Sequence, residues 1–331
     1  MITASICLII FNIFFLSLYS KIKKTFKVFD YPDNNRKRQQ KKIPITGGLL
    51  LFLNYILLIL IDNLYQLNLF SYLNISEKNF IIILVIVPLT FYLVGLYDDK
   101  YNLKPYLKFL ISIIFFFIVI QLDNKFLIDQ ISINSLNIDI SIFKYSIFIT
   151  ILCYLLFQHA FNMFDGINLQ IGFYSIFFLV FLFVFTKVNT FLIFILPILF
   201  FLILNFKDDS YMGDGGCYFI SYFLSINCVL SYNYEQIYSE EIFLLMMLPG
   251  IDMFRLFILR LYENKSPFSP DRQHLHHYLT YKFSYLLANL TSMTLILVPM
   301  ISYIIFKKFI LTVLLTVFVY LVIIYLITKK S

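Results

Sequence analysis

NFIIILVIVPLTFYLVGLYDDK, residues 79–100, carries no charged side chain until its last three positions. A helix needs about 20 mostly apolar residues to cross the hydrocarbon core of a bilayer, and residues 79–97 supply that length. Working outward by the same criterion, further spans are expected near 2–20, 46–66, 106–122, 143–163, 168–186, 189–206, 215–231, 241–260, 285–306 and 309–328. The expected fold is an all-α polytopic membrane protein of about eleven transmembrane helices, with residues 1–331 forming one membrane domain. Composition agrees: 60% of the 331 residues are hydrophobic and 14% charged, with mean hydropathy +0.84. A water-soluble fold of this length could not cover so much apolar surface with so few charges.

Orientation follows from lysine and arginine in the short loops. The first loop holds Lys21, Lys23, Lys24, Lys27, Arg36, Lys37, Arg38, Lys41 and Lys42, so it is expected in the cytoplasm. Alternation then puts the N-terminus outside and the C-terminus, with Lys329 and Lys330, inside. Of the 26 basic residues, the opposite loops keep only Lys78, Lys125, Lys144, Lys187, Lys307 and Lys308. The net charge of +7 therefore reports membrane topology and not nucleic-acid binding. The opening stretch lacks a basic lead and a small-residue cleavage site, so it is expected to remain as a span. Cys7, Cys153, Cys217 and Cys228 lie in apolar segments without ligand or disulfide spacing, and they read as buried small hydrophobes.

Four polar clusters fall at helix ends on the cytoplasmic side of this topology, although none was used to set it: Asp98-Asp99, Asn162 with Asp165, Asp214, and His274, His276 and His277. Adjacent carboxylates repel unless a cation lies near, so Asp98 and Asp99 suit a divalent ion; a solvated helix end beside Lys100 is the plainer reading. Asn162 and Asp165, three apart, can present two oxygens to one point, or simply close a helix before Gly166. Gly213, Gly215 and Gly216 around Asp214 would let backbone approach a phosphate, or form only a loop. The histidine cluster beside Arg272 and Asp271 fits phosphate binding. Zinc is the sharper rival, disfavoured by the adjacency of His276 and His277, and a basic juxtamembrane loop is the bland one. Together these groups meet the needs of phosphoryl transfer between a soluble and a lipid-borne substrate. A transporter or channel is the rival from another class; it predicts carboxylates at mid-membrane depth and on both sides.

At this point NNRKRQQKKIPITGG (34–48), GLYDDK, HAFNMFDGIN, MGDGG and PGIDMFRLFILRLYENKSPFSPDRQHLHH (249–277) resemble, in order and spacing, the polyprenyl-phosphate N-acetylhexosamine-1-phosphate transferase superfamily of the MraY and WecA type. The histidine segment points to the WecA-like branch. The resemblance implies a bacterial plasma-membrane enzyme, multi-pass, with its active site facing the cytoplasm. It would move a sugar 1-phosphate, by default from UDP-N-acetylglucosamine, onto undecaprenyl phosphate and release UMP, starting a lipid-linked surface polysaccharide such as lipopolysaccharide O-antigen or a wall polymer. It implies Mg²⁺, with Mn²⁺ able to substitute, on Asp214 and Asn162. Asp98 and Asp99 would handle the prenyl phosphate and Asp165 would support the metal and nucleotide region. Asn168 would face uracil, Arg272, His274, His276 and His277 the diphosphate, and Arg36 and Lys37 the lipid phosphate. A homodimer is compatible with this reading and nucleic acid is not a partner. The chain departs from the usual pattern at His159, Asn168, Gln39 and Cys217, which bears on the sugar more than on the reaction.

Overall fold

A computed structural model describes residues 1–32, 41–266 and 272–329. Its helices are α1 (Ile2–Ser17), α2 (Tyr19–Phe26), α3 (Gly47–Tyr65), α4 (Glu77–Ile81), α5 (Val87–Tyr101), α6 (Pro105–Leu122), α7 (Ser146–Phe164), α8 (Gln170–Thr186), α9 (Asn189–Phe206), α10 (Gly213–Asn233), α11 (Ser239–Tyr262), α12 (Leu275–Lys282), α13 (Tyr285–Phe306) and α14 (Phe309–Thr328). Every segment expected to span is helical, although 2–20 runs from α1 into α2 and 79–97 runs from α4 through a π-helical turn into α5. The fold is an all-α polytopic membrane protein.

Among the described residues, eight helices are long and apolar enough to cross a bilayer, nine if α1 and α2, bent by 71°, count as one. The two segments that fall short do so for physical reasons. Helix α8 has 17 residues. Helix α10 has the length but carries Gly, Ser, Asn, Cys and Tyr, because it is the central helix and touches protein rather than lipid. Every residue from Gly215 to Ser231 is buried, against α3, α5, α7 and α8. Without a hydrophobic force between helices in lipid, such packing relies on small residues and internal hydrogen bonds.

Glycine makes the contact with α5 and α3 possible. A Cβ at Gly95 would lie 2.4 Å from the Gly215 nitrogen, and one at Gly48 would lie 2.5 Å from the Gly216 nitrogen. Gly215 and Gly216 beside Asp214 thus serve close helix packing. The polar side chains of α10 bond inward: Asn227 accepts from the Tyr72 hydroxyl at 2.8 Å, and Tyr222 donates to the Ile83 carbonyl at 2.8 Å. Ile83 lies in a π-helical turn, Ile82–Ile86, joining α4 to α5. In that register its partner would be the nitrogen of Pro88, which has no hydrogen to give, and the tyrosine hydroxyl fills the place.

Among the described residues, two short antiparallel strand pairs, absent from the sequence reading, complete the fold. Phe29–Asp30 (β1) pairs with Ile43–Pro44 (β2), and Gln130–Ile133 (β3) pairs with Ile138–Ser141 (β4). The second pair caps the end of the bundle where α10 finishes and α11 begins: the Ser132 nitrogen donates to Tyr232 at 2.8 Å and the Ser135 nitrogen to Glu240 at 2.8 Å. At the other end, the Tyr19 hydroxyl donates to the Asp209 carbonyl at 2.5 Å, and Thr46 bonds Ser210 at 2.8 Å. Backbone pairs from Gly47 to Tyr211 and from Gly48 to Met212 tie the entrance of α3 to that of α10. Of the cysteines, Cys217 and Cys228 are buried as expected, Cys7 is half-buried and Cys153 faces outward.

Candidate functional site

The helix ends tied together by Tyr19, Thr46 and Ser210 surround a cavity of about 2280 Å³, and all four polar clusters read from the sequence line it. Asp98 and Asp99 occupy the last turn of α5, which closes on Asn102 in the left-handed conformation, φ 53°. Neighbours on a helix point about 100° apart, and the two carboxylates accordingly do different things. Asp99 turns to α10 and accepts from the backbone nitrogens of Asp214 at 2.9 Å and Gly215 at 3.3 Å. It satisfies donors that a helix N-terminus leaves open, and so fixes where α10 begins. Asp98 is 3% exposed; it accepts from the Leu103 nitrogen at 2.8 Å and forms an ion pair with Lys108 of α6.

Lys108 also lies 3.8 Å from Asp214, whose side chain is 31% exposed. This lysine joins the two carboxylates, and it went unremarked in the sequence although a charge inside an apolar stretch is itself a functional signal. Gly213, φ 74°, sets the entry to α10, and a side chain there would meet Ile45 and Asp99. Asp214 thereby emerges at the first turn of a helix, where the backbone dipole favours negative charge.

Asn162 lies in the last turn of α7 and Asp165 at its cap. The Cys217 thiol donates to Asp165 at 3.3 Å, which brings the second cluster to the first turn of α10. Asp165 stands at the cavity wall with protein packed around it, and this desolvation pushes its carboxyl up to about 6, against a smaller opposing effect of the thiol. His276 packs on the same turn: a Cβ at Gly166 would fall 1.7 Å from the His276 Nε2. His276 is buried, and desolvation, aided by His277 and His274, holds its ring well below the usual histidine range. In this ligand-free arrangement burial favours its neutral form.

His274 precedes α12 and donates through Nδ1 to Asp252 at 2.9 Å. Asp252 also accepts from Arg255 at 2.8 Å, Tyr320 at 2.7 Å and the Leu275 nitrogen at 3.2 Å. Asp252, His274 and His276 bring ligand atoms close enough to gather a metal. Asp252, however, already has its acceptor sites filled and has a guanidinium against it, so the trio reads as a polar anchor. His277 stands edge-on to His276, ring centroids 4.4 Å apart, and Arg272 is exposed on the cavity rim. Asp252 and Arg255 were also overlooked in the sequence, despite sitting three apart within an apolar span, a placement that costs too much to be idle.

Asn168 is placed on the rim, yet its amide donates to the Asn205 carbonyl at 3.0 Å and to Asp208 at 2.5 Å. Both its donors are committed within the protein, which leaves its amide oxygen to face a ligand. Arg36 and Lys37 lie outside the described residues. The cavity also has an apolar arm formed by Leu152, Leu155 and Leu156 of α7, Phe109 of α6, and Phe254 and Phe257 of α11.

Comparison with known proteins fits this geometry. A family described as glycosyl transferase family 4 matches residues 81–232. The chain is 27% identical over 257 residues to the "Probable undecaprenyl-phosphate N-acetylglucosaminyl 1-phosphate transferase" of Bacillus subtilis, spanning 74% of this chain and 68% of that one. It is 25% identical to the "Undecaprenyl-phosphate alpha-N-acetylglucosaminyl 1-phosphate transferase" of Thermotoga maritima, over 82% of this chain and 80% of that one. To the protein of the same name from Salmonella typhi it is 26% identical, over 82% and 74% respectively.

Proposed function

The chain belongs to the polyprenyl-phosphate N-acetylhexosamine-1-phosphate transferase superfamily of the MraY and WecA type, and from that premise we propose that it transfers N-acetylglucosamine 1-phosphate from the UDP-sugar to undecaprenyl phosphate. An oxygen of the lipid phosphate forms a bond to the sugar-linked phosphorus, the bridging P–O bond breaks, and UMP leaves with the bridging oxygen. The product is a sugar diphosphate lipid, the starting point of a surface polysaccharide. The observation that carries this reading is the meeting of Lys108 with Asp98 and Asp214 in a cavity that also has an apolar arm. The polyprenyl chain lies along that arm, between α7 and α11, and its phosphate reaches the Lys108 ammonium.

Asp214 and Asn162 would hold Mg²⁺. Asp98, Asp99, Asp165 and Asp214 set four carboxyl groups against the one ammonium of Lys108, and carboxylate oxygens with the Asn162 amide oxygen suit a hard dication. When bound, the ion neutralises charge on the transferring diphosphate. Asp99 keeps the start of α10 in place, and His274 and His277 contact the diphosphate with Arg272 at the rim. His276 supports the turn that carries Asp165. The site faces the cytoplasm, with the N-terminus outside.

Purified protein incubated with undecaprenyl phosphate and a panel of UDP-sugars tests the reading through UMP release. Activity is expected with UDP-N-acetylglucosamine and lost in EDTA. Asp214→Asn keeps the shape but not the charge, and should lower turnover about 10³-fold or more while the protein still inserts and purifies. Near-normal turnover in that variant would overturn the mechanism.

A further inference from the structure

We infer that Tyr320, on the last helix, is a positioning residue for the nucleotide sugar, acting on His274 through Asp252. Helix α14 is largely lipid-facing: 22% of its apolar window is buried. Its buried residues are Thr312, Thr316, Tyr320 and Ile327, so one narrow polar stripe faces the protein. Thr312 and Thr316 spend their hydroxyls on carbonyls of their own neighbourhood, Lys308 and Thr312. Tyr320 alone of the three reaches another helix.

Its hydroxyl donates to Asp252 Oδ1 at 2.7 Å and accepts from Arg255 Nε at 2.7 Å. Arg255 in turn donates to Asp252 and to the Gln273 carbonyl, just before His274. The tyrosine thus closes a ring of three side chains whose open corner, Asp252 Oδ2, takes the proton of His274 Nδ1. A carboxylate held this way fixes both the tautomer and the plane of the imidazole, leaving Nε2 directed by the network and not by solvent. The His274 ring then stacks on His276, centroids 5.1 Å apart and 11° between planes. Without the Tyr320 hydroxyl, Oδ1 keeps Arg255 and the Leu275 nitrogen, and the carboxylate is held less firmly in the plane that orients the His274 ring. Tyr320 is not among the residues that line the cavity, so its influence on substrate passes through this network.

The inference rests on His274 meeting the diphosphate of the sugar nucleotide. Steady-state kinetics of the full-length protein with UDP-N-acetylglucosamine and undecaprenyl phosphate test it. Tyr320→Phe should raise the KM for the sugar nucleotide about tenfold, the factor carried by about 1.4 kcal/mol of a lost hydrogen bond, and leave the KM for the lipid unchanged. In a His274→Ala background the same substitution should add nothing. Thr316→Ala, one turn away on the same buried stripe, should keep wild-type constants. If Tyr320→Phe fails to accumulate in membranes, Asp252→Asn takes the same readout, with the same outcomes expected. An unchanged KM, a parallel rise for both substrates, or additivity with His274→Ala would overturn the assignment. A wild-type protein that releases no UMP would instead fail the proposed function.

Discussion

Asp165 and Cys217 join the end of α7 to the first turn of α10. The carboxyl, raised to about 6, takes up a proton on folding at pH values between the ordinary carboxylate range and about 6. With the folded value above the unfolded one, the metal-free protein loses stability as pH rises from the ordinary carboxylate range through about 6, and none above it. A cation in the region competes with that proton, so Mg²⁺ should bind more tightly as pH rises through the same window. A thiol is a weak donor, and Cys217→Ser supplies a stronger one at the same place. The variant should shift the acid limb of Mg²⁺-dependent UMP release to lower pH, read from pH profiles at subsaturating Mg²⁺; an unmoved limb would show that Asp165 does not set it. In the sequence, Asp98, Asp99, Asp165, Asp214 and the histidines were legible because they stand at helix ends in polar company. Lys108, Asp252 and Arg255 were not, because each sits within a stretch read for its apolar average, where one charge scarcely alters the mean.

Hydropathy located every long helix but ranked their surroundings in reverse at α10. The least lipid-like span is the most deeply buried, since hydropathy reports contact with lipid tails and this helix has almost none. Its seam with α5 gives a sharp test. Adding a methyl group at Gly95 would place it 2.4 Å from the Gly215 nitrogen, so α5 must move away from α10. Asp98 and Asp99 lie one turn further along α5 and would move with it, away from Asp214. Gly95→Ala should cost about 1–3 kcal/mol in stability through overpacking and lower UMP release well beyond that loss of folded protein. Gly250→Ala is the control: nothing lies within 4 Å of its added carbon, and a helical alanine replaces a glycine, so thermal stability should hold or rise. Equal behaviour of the two variants would refute the seam.

For the molecule as a whole, the alternation of helices brings the ends of α2, α5, α7, α9 and α11 to the same face as the starts of α3, α6, α8 and α10. Clusters spread over most of the sequence thereby meet in one cavity. Charge counting assigns that face to the cytoplasm and the β3–β4 hairpin to the opposite side. A fluorescent protein that folds only in the cytoplasm, fused after Ser331, should fluoresce, and a periplasm-dependent phosphatase inserted between β3 and β4 should be active. Reversal of either signal would invert the orientation. The strand pairs themselves were not legible: β1 and β2 span two residues each, too short for any alternating pattern, and β3–β4 lies between two expected spans in a segment given no structure of its own.

The π-helical turn at Ile82–Ile86 has a bearing on how this chain can vary. Such a turn accommodates one residue more than an α-helix of equal rise, so it is a site where a single codon can be lost while the helix keeps its course. Deletion there lets the turn revert to α-register and leaves the stretch beyond Val87 facing as it does now. Deletion anywhere between Val87 and Asp98 would instead turn the acidic end by about 100° relative to its neighbours. Length differences among related chains in this helix should therefore gather in its first half, with the distance from Gly95 to Asp99 held constant.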